Sequence, residues 1–381
     1  MHKGLFIVDF TQEAEDFLML DKFAKVVSRS KADLTYRQLP HYSRSYVDFS
    51  SNNYLGLSQQ PEVIEAGIAA ARRYGAGATG SRLLSGNYEL FEEFEAQIAR
   101  DKGTDAALIF NCGFQANSGV IECLTDKHTL VIFDMLNHAS MYQGVFASGA
   151  KLKRFQHLDY THLEDILKDA VREYKDILVV SDTVFGMDGD IADIQTLIGI
   201  SEEYGAILYL DEAHATGLYG KGGYGLTKNF DFDKEKVIIM GTFSKAIGSS
   251  GAYVACSGLI KDFLIQKCKS FIYSTALSPF CIGAAQKAWE MLPSLNSIRQ
   301  NIMRRAEKIR SALGGGGSKT NIVPILFKTT EEMMLKKQIL EANGIIVSGI
   351  RPPTSPTPRL RIAVNATHTD DDIEKLIGVL A

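Results

Sequence analysis

Lys245 follows the apolar run Val237–Met240 in Gly241-Thr242-Phe243-Ser244-Lys245, and Gly248-Ser249-Ser250-Gly251 lies just beyond it. A lysine past the end of a strand is ordinarily a solvated surface residue. Here its neighbours are hydroxyls and glycines, which suit the close approach of a phosphorylated ligand. An amine in such surroundings condenses with an aldehyde to form a Schiff base, and partial desolvation helps by lowering its pKa. Asp211 and His214 follow the run Ala206–Leu210 as Asp-Glu-Ala-His. That spacing puts carboxylate and imidazole about one helical turn apart, or on one side of a turn leaving a strand. Asp211 reads either as a strand-end cap or as the partner of a protonated pyridine nitrogen. On the second reading His214 is placed to hydrogen-bond a ring oxygen or an incoming carbonyl.

Four further groups carry weaker signals. Asn111-Cys112-Gly113-Phe114-Gln115-Ala116-Asn117 puts small and polar residues between a buried run and a helix, whose free N–H groups bind phosphate. Gly113 reads equally as a tight turn. Asn137-His138-Ala139-Ser140 supplies an imidazole that is either structural or able to stack on a flat ring. Arg82, in the glycine-rich stretch Gly75–Gly86, is either part of a flexible loop or an anion clamp. Arg359 and Arg361 alternate along a strand and so share one face. A buried arginine requires an anion, either an internal carboxylate or that of a substrate.

Short apolar runs at Ala106–Phe110, Leu130–Phe133, Ile177–Val180, Ala206–Leu210, Val237–Met240 and Ala252–Ala255 must position these side chains. Each has the length of a strand buried on both faces. Helix-patterned segments such as Asp159–Tyr174 and Ile194–Tyr204 separate several of them. The pattern predicts a mostly parallel sheet sandwiched by helices, with its site beyond the carboxyl ends of the strands. Three units are expected: residues 1–54 as an N-terminal helix (Thr11–Ser28) and lead-in packing with the small domain, 55–290 as the large domain, and 291–381 as a smaller α+β domain. In the last, Ile322–Phe327, Gly344–Ile350 and Arg359–Val364 read as strands. Glu331–Ala342 and Asp370–Leu380 read as helices, the second capped by Thr369.

Composition bounds the function. Of 381 residues 45% are hydrophobic and 23% charged, as in an ordinary soluble globular protein, and the net charge of −4 argues against nucleic acid or an anionic membrane as the main partner. The five cysteines form no C-x-x-C pair and no metal-ligand spacing, so free thiols and no metal are expected. No apolar run approaches the ~18 residues that span a membrane. Residues 1–10 do not read as a targeting peptide, and a cytoplasmic location is expected. The G-K-[ST] ending of a P-loop is missing, as is a dinucleotide fingerprint.

The order of the motifs says more than any one of them. Ser51–Leu57 (S-N-N-Y-L-G-L), Gly80–Gly86 (G-S-R-L-L-S-G), C-G-F-Q-A-N, N-H-A-S, Val184–Asp190 (V-F-G-M-D-G-D), D-E-A-H, G-T-F-S-K and R-L-R-I succeed one another from about residue 45 to the C-terminus. This succession resembles the α-oxoamine synthases, pyridoxal 5'-phosphate (PLP) enzymes of fold type I. The resemblance implies an α/β fold with a large, mostly parallel seven-stranded sheet and a smaller α+β domain. It also implies a decarboxylating condensation of an amino acid with an acyl thioester, in a homodimer with shared sites. Lys245 would carry PLP and move the Cα proton. Asp211 would hold the pyridine nitrogen, His138 would stack on the ring and His214 would contact the ring oxygen. Thr242 and the backbone of Gly113 and Phe114 would hold the phosphate, with Thr275 reaching across from a second subunit. Arg361 would bind the amino-acid carboxylate, with Asn52 nearby. Ile350–Thr354 and Ile272–Thr275 resemble the branch serving biotin synthesis, which implies L-alanine and a pimeloyl thioester as substrates. One departure stands out: where the family usually has serine in V-F-S-M-D-G, this chain has Gly186.

Overall fold

Apolar runs that can bury both faces determine the centre of the molecule. The computed structural model describes residues 19–33, 35–37, 39 and 46–381. In chain order its strands are β1 (Val47–Asp48), β2 (Ala106–Phe110), β3 (Leu130–Asp134), β4 (Lys151–Phe155), β5 (Ile177–Asp182), β6 (Ile207–Asp211), β7 (Val237–Thr242), β8 (Ala252–Cys256), β9 (Ile322–Leu326), β10 (Ile345–Ile346), β11 (Ser348–Ile350) and β12 (Arg359–Ala363). Seven of them form one sheet in the order β2-β8-β7-β6-β5-β3-β4. Only β8 runs antiparallel to its neighbours. All six predicted runs are strands of this sheet, and β3, β5, β7 and β8 are buried at every residue. The expected fold class is therefore present.

The seventh strand, β4, was not among the apolar runs read from the sequence. Its sequence, KLKRF, is largely exposed and lies on the edge beside β3. Charged side chains protect a sheet edge from further pairing, and they also erase the apolar signal of a strand.

The small sheet has the order β11-β12-β9, all antiparallel. The single strand expected over Gly344–Ile350 is divided. Ile345 and Ile346 pair with Val47 and Asp48 of β1, whereas Ser348–Ile350 pair with β12. Two sheets claim the two halves, so the chain breaks at Val347. The closing helix Asp370–Leu380 is capped as expected, with a reciprocal box between Thr369 and Asp372.

The N-terminal helix differs from expectation. Helix α1 (Met19–Ala32) extends past Ser28, and the expected start at Thr11 lies outside the described residues. None of its residues is buried, and Met19, Leu20, Phe23 and Val26 are exposed, while the lead-in joins the small domain through the pairing of β1 with β10. Four more helices matter below: α2 (Pro61–Tyr74), α3 (Glu89–Lys102), α4 (Gly113–Leu124) and α5 (Ala139–Ser148).

One buried charge cluster ties the β4 side to the turn after β5. His157 Nδ1 lies 2.9 Å from Asp134 at the end of β3, and its Nε2 lies 3.2 Å from Asp190. Burial disfavours the imidazolium, but hydrogen bonds to the two carboxylates outweigh it and push His157 up to about 9. A histidine raised above its unfolded value of about 6.5 contributes stability that is complete below pH 6.5 and lost as pH rises through 9. Denaturant melts from pH 6 to 10 should show a loss across that window, on the order of 1–2 kcal/mol once solvent screening of this half-buried group is allowed for. His157→Gln should flatten it; an unchanged slope in that variant would contradict the assignment.

Candidate active site

The carboxyl ends of β3, β5, β6 and β7 deliver Asp134, Asp182, Asp211 and Thr242 to one edge of the sheet. The neighbours of β3 lie on opposite sides of it, β4 on one and β5 on the other, so the crevice opens where the connections diverge.

Lys245 sits in the loop of the β7–β8 hairpin. Phe243 N–H donates to Gly251 O at 2.9 Å, Ser249 N–H to Phe243 O at 2.8 Å, and Gly248 N–H to Lys245 O at 3.0 Å. Gly248 has φ +72°, and a Cβ there would meet Ser58 N at 2.3 Å, so this tight return requires glycine. The Lys245 amine is half-buried and makes no hydrogen bond or ion pair among the described residues. Burial pushes it down to about 8, with Arg361 adding to the effect and Asp211 and Asp182 opposing it. An unpartnered amine that is substantially neutral near pH 8 is a competent nucleophile and base.

Asp211 is buried and has no cationic partner within ion-pair distance among the described residues. Its Oδ1 accepts from Ala213 N–H at 2.8 Å and its Oδ2 from Asn117 Nδ2 at 2.8 Å. Asn117 lies one turn into α4, donates also to Ser140 Oγ at 2.9 Å, and accepts from Tyr209 OH at 2.8 Å. Ser140 Oγ lies 2.7 Å from His138 Nδ1, which also accepts from Ser140 N–H at 3.3 Å. His138 thereby caps α5 with Nδ1 as acceptor, which leaves any ring proton on Nε2. Burial lowers its pKa, so the ring is neutral. Its backbone N–H donates to Asp182 at 2.9 Å, and burial together with Asp211 holds Asp182 well above the usual carboxylate range.

A cluster of open donors and hydroxyls is built from α4 and β7. Cys112 caps α4 and accepts from Gln115 N–H at 3.5 Å. Gly113 N–H and Phe114 N–H, the first two of the helix, have no acceptor among the described residues. A Cβ on Gly113 would lie 3.8 Å from Thr242, so the hydroxyl stands beside the helix end. Thr242 Oγ1 is 2.8 Å from Ser244 Oγ and donates to Gly251 O at 2.9 Å. Thr275 is anchored by its backbone within its own chain: its carbonyl accepts from Asn111 Nδ2 at 2.7 Å, and it bridges to Ser81.

The two strand arginines separate into the two roles open to them. Arg359 pairs with Asp188, the internal carboxylate. Arg361 is equally buried, yet no carboxylate lies within ion-pair distance of it among the described residues. It donates to Gly186 O, to Asn52 Oδ1 at 3.1 Å and to Tyr54 OH at 3.2 Å. Tyr54 OH also lies 2.7 Å from His214 Nδ1. Burial and the cations Lys245 and Arg361 hold His214 well below its usual pKa, so it is a neutral imidazole. Arg82 corrects the expectation of an anion clamp. Its guanidinium pairs with buried Glu95 at 2.8 Å, donates to Asn87, and stacks over Phe91 at 4.1 Å. An internal carboxylate was the alternative for Arg359 and Arg361, whereas for Arg82 it was a flexible loop, so its pairing with Glu95 fits neither reading of Arg82.

Several members of the network were not singled out from sequence: Tyr54, Asn117, Ser140 and Asp182. Asn117 stands four residues after Gly113 on a helix, on the face that meets Asp211, and that spacing is the one signal that could have found it. Glu212 is fully buried against Lys102 of α3 and accepts from Thr227 N–H at 2.8 Å, which anchors the turn carrying Asp211 and His214.

The residues fit PLP. A free amine meets an aldehyde, an unpaired buried carboxylate meets a pyridinium, and open helix N–H groups with a hydroxyl meet a phosphate. Among the described residues no cluster of three or more His, Cys, Asp or Glu gathers to hold a metal.

Comparisons with known proteins agree with this geometry. Residues 44–380 match the family Aminotransferase class I and II. A Bacillus cereus (strain Q1) protein provisionally named 8-amino-7-oxononanoate synthase is 45% identical over 335 residues, 86% of this chain and 85% of its own length. A Magnetococcus marinus protein of the same provisional name is 42% identical over 338 residues, again 86% and 85%. Among solved structures, Sphingomonas wittichii serine palmitoyltransferase superposes with a TM-score of 0.88 at 27% identity, covering 96% of this chain and 97% of that one. The 8-amino-7-oxononanoate synthase of Francisella tularensis superposes with a TM-score of 0.77 at 28% identity, covering 89% and 97%. The chain belongs to the aminotransferase class I and II family and, within it, to the α-oxoamine synthases, a group of PLP-dependent acyltransferases.

Proposed function

We propose that this enzyme condenses L-alanine with a pimeloyl thioester, releasing carbon dioxide and the thiol and giving 8-amino-7-oxononanoate for biotin synthesis. The observation that carries an amino-acid substrate is Arg361, a buried guanidinium with no carboxylate partner among the described residues, held by neutral acceptors beside Lys245. A substrate carboxylate completes it with a bidentate pair. The choice of alanine and a pimeloyl group draws on the names of the relatives and on the stretches Ile350–Thr354 and Ile272–Thr275.

When bound, PLP supplies an aldehyde that links to an amine and a ring that draws negative charge away from the α-carbon. The protein supplies the rest. Asp211 keeps a negative charge facing the pyridine nitrogen, and Asn117 and Ala213 fix its orientation. Gly113, Phe114 and Thr242 hold the phosphate, and neutral His138 offers a flat face to the ring. Lys245, with its amine unpartnered among the described residues, would take the α-proton of the bound amino acid and later return it. His214 stands beside Arg361, where it donates a hydrogen bond to the oxyanion that forms as the thioester carbonyl is attacked.

The enzyme works as a homodimer in the cytoplasm, with Thr275 contributing to the partner's phosphate site. Supporting the dimer, Leu84, Phe114, Met135 and Tyr273 expose apolar surface next to the site residues. No helix among the described residues is long and apolar enough to cross a membrane.

Steady-state assays of alanine, glycine and serine, each with pimeloyl, acetyl and palmitoyl thioesters, test the reading. Alanine with the pimeloyl donor should give the highest kcat/KM, by at least about tenfold, the discrimination one well-fitted contact provides. A preference for serine with a palmitoyl donor would support the serine palmitoyltransferase reading that the structural neighbours favour, and no turnover with any pair would indicate a silent partner subunit. Arg361→Ala should raise the KM for the amino acid roughly 100-fold, as expected for a lost charge-assisted pair, and leave the acyl-donor KM unchanged.

A further inference from the structure

Gly186 is not among the glycines with positive φ, so its backbone would accept any residue. Its surroundings would not. A Cβ at this position would sit 2.3 Å from His214 Nε2 and 2.9 Å from Cδ2 and Cε1 of the same ring. The imidazole therefore lies flush against the glycine, in the space a side chain would take. On its other side His214 is held by Tyr54 OH at 2.7 Å.

The backbone at 186 cannot easily retreat. Phe185 N–H donates to Asp190 O at 2.9 Å and Gly189 N–H to Phe185 O at 2.8 Å, which close the turn. Asp188 is fastened to Arg359, and Asp190 to His157 at 3.2 Å. The carbonyl of Gly186 meanwhile accepts from Arg361 Nε. One residue thus touches both the imidazole and the guanidinium, and Tyr54 touches both from the opposite side.

We infer that Gly186 is a positioning residue: its lack of a side chain sets the depth of His214 while its carbonyl sets Arg361, which fixes the spacing of these two groups around a small amino acid. A serine here, usual in the family this chain resembles, would displace the ring from Tyr54. The inference rests on the proposed function for its amino-acid substrate, but its steric core does not.

The test combines Gly186→Ser, Gly186→Ala, Tyr54→Phe and His214→Ala. In the cofactor-free protein, histidine labelled at Cε1 reports the His214 NMR signal, assigned by its absence in His214→Ala. Gly186→Ser should shift that signal, and Tyr54→Phe should shift it in the wild-type background but add nothing after Gly186→Ser. Gly186→Ser should lower the Tm of the cofactor-free protein, and His214→Ala should remove that loss, because truncating the ring makes room. If Gly186→Ser does not fold, its recovery with His214→Ala carries the same information, and Gly186→Ala supplies the NMR comparison. In the PLP-loaded enzyme, Gly186→Ala should weaken amino-acid binding about tenfold, within the coupling range of contacting residues, with the acyl-donor KM unmoved. An unmoved His214 signal, or an equal effect of Tyr54→Phe in both backgrounds, would overturn the inference. A wild-type protein that failed to bind PLP would defeat the proposed function instead, and the cofactor-free measurements would still decide the role of Gly186.

Discussion

Lys245→Ala should abolish turnover, lowering kcat by at least about 10⁴-fold, the upper range for loss of a general base, with the loss of the covalent link added to it. The variant should also lack the visible absorbance of the lysine–cofactor link. The reason is local: the amine stands half-buried with no partner among the described residues, depressed to about 8 by burial, and no other lysine occupies this loop. Because the amine makes no hydrogen bond, its removal leaves nothing unsatisfied. Stability should change by less than about 1 kcal/mol, as for a substitution that breaks no network. Kinetics, an absorbance spectrum and a melt on one preparation separate a lost function from a lost fold.

Asp211→Ala should be nearly as severe for activity, by about 10³-fold, and should also destabilise the protein. Its carboxylate accepts from Ala213 N–H and Asn117 Nδ2, both in the buried interior. Leaving such donors unsatisfied costs about 1–3 kcal/mol. Asp211→Asn keeps the shape and one acceptor but loses the charge, so it should recover part of the stability and little of the activity. The charge also raises the pKa of Lys245. Without it the lysine should titrate below 8, and the acid limb of any residual pH–rate profile should move to lower pH. Near-normal activity in both variants would remove Asp211 from the site.

Much of this was legible in the sequence because two-sided burial leaves a strong mark. Strands such as Leu130–Asp134 and Val237–Thr242 are apolar through most of their length, and the polar residues that follow them lie at the crevice edge. Strand Lys151–Phe155 was hidden for the opposite reason, since an edge strand is protected by charge. The residues that line the site were clearer than those that hold them. Asp211 and Lys245 announce themselves by type and place, whereas Tyr54 and Asn117 act through partners 160 and 94 residues distant in sequence. Arg82 and Arg361 both read as anion binders in the sequence, and only the fold shows that Glu95 neutralises one while, among the described residues, no carboxylate reaches the other. Gly186 was visible as a departure, but its meaning lies in the imidazole packed against it.

Borohydride reduction of the purified PLP-loaded enzyme, followed by peptide mass spectrometry, tests the central claim most directly. Reduction fixes the cofactor to whichever amine carries it. The expected result is a pyridoxyl mass confined to the peptide containing Lys245; the same mass on another lysine, or on none, would contradict the account.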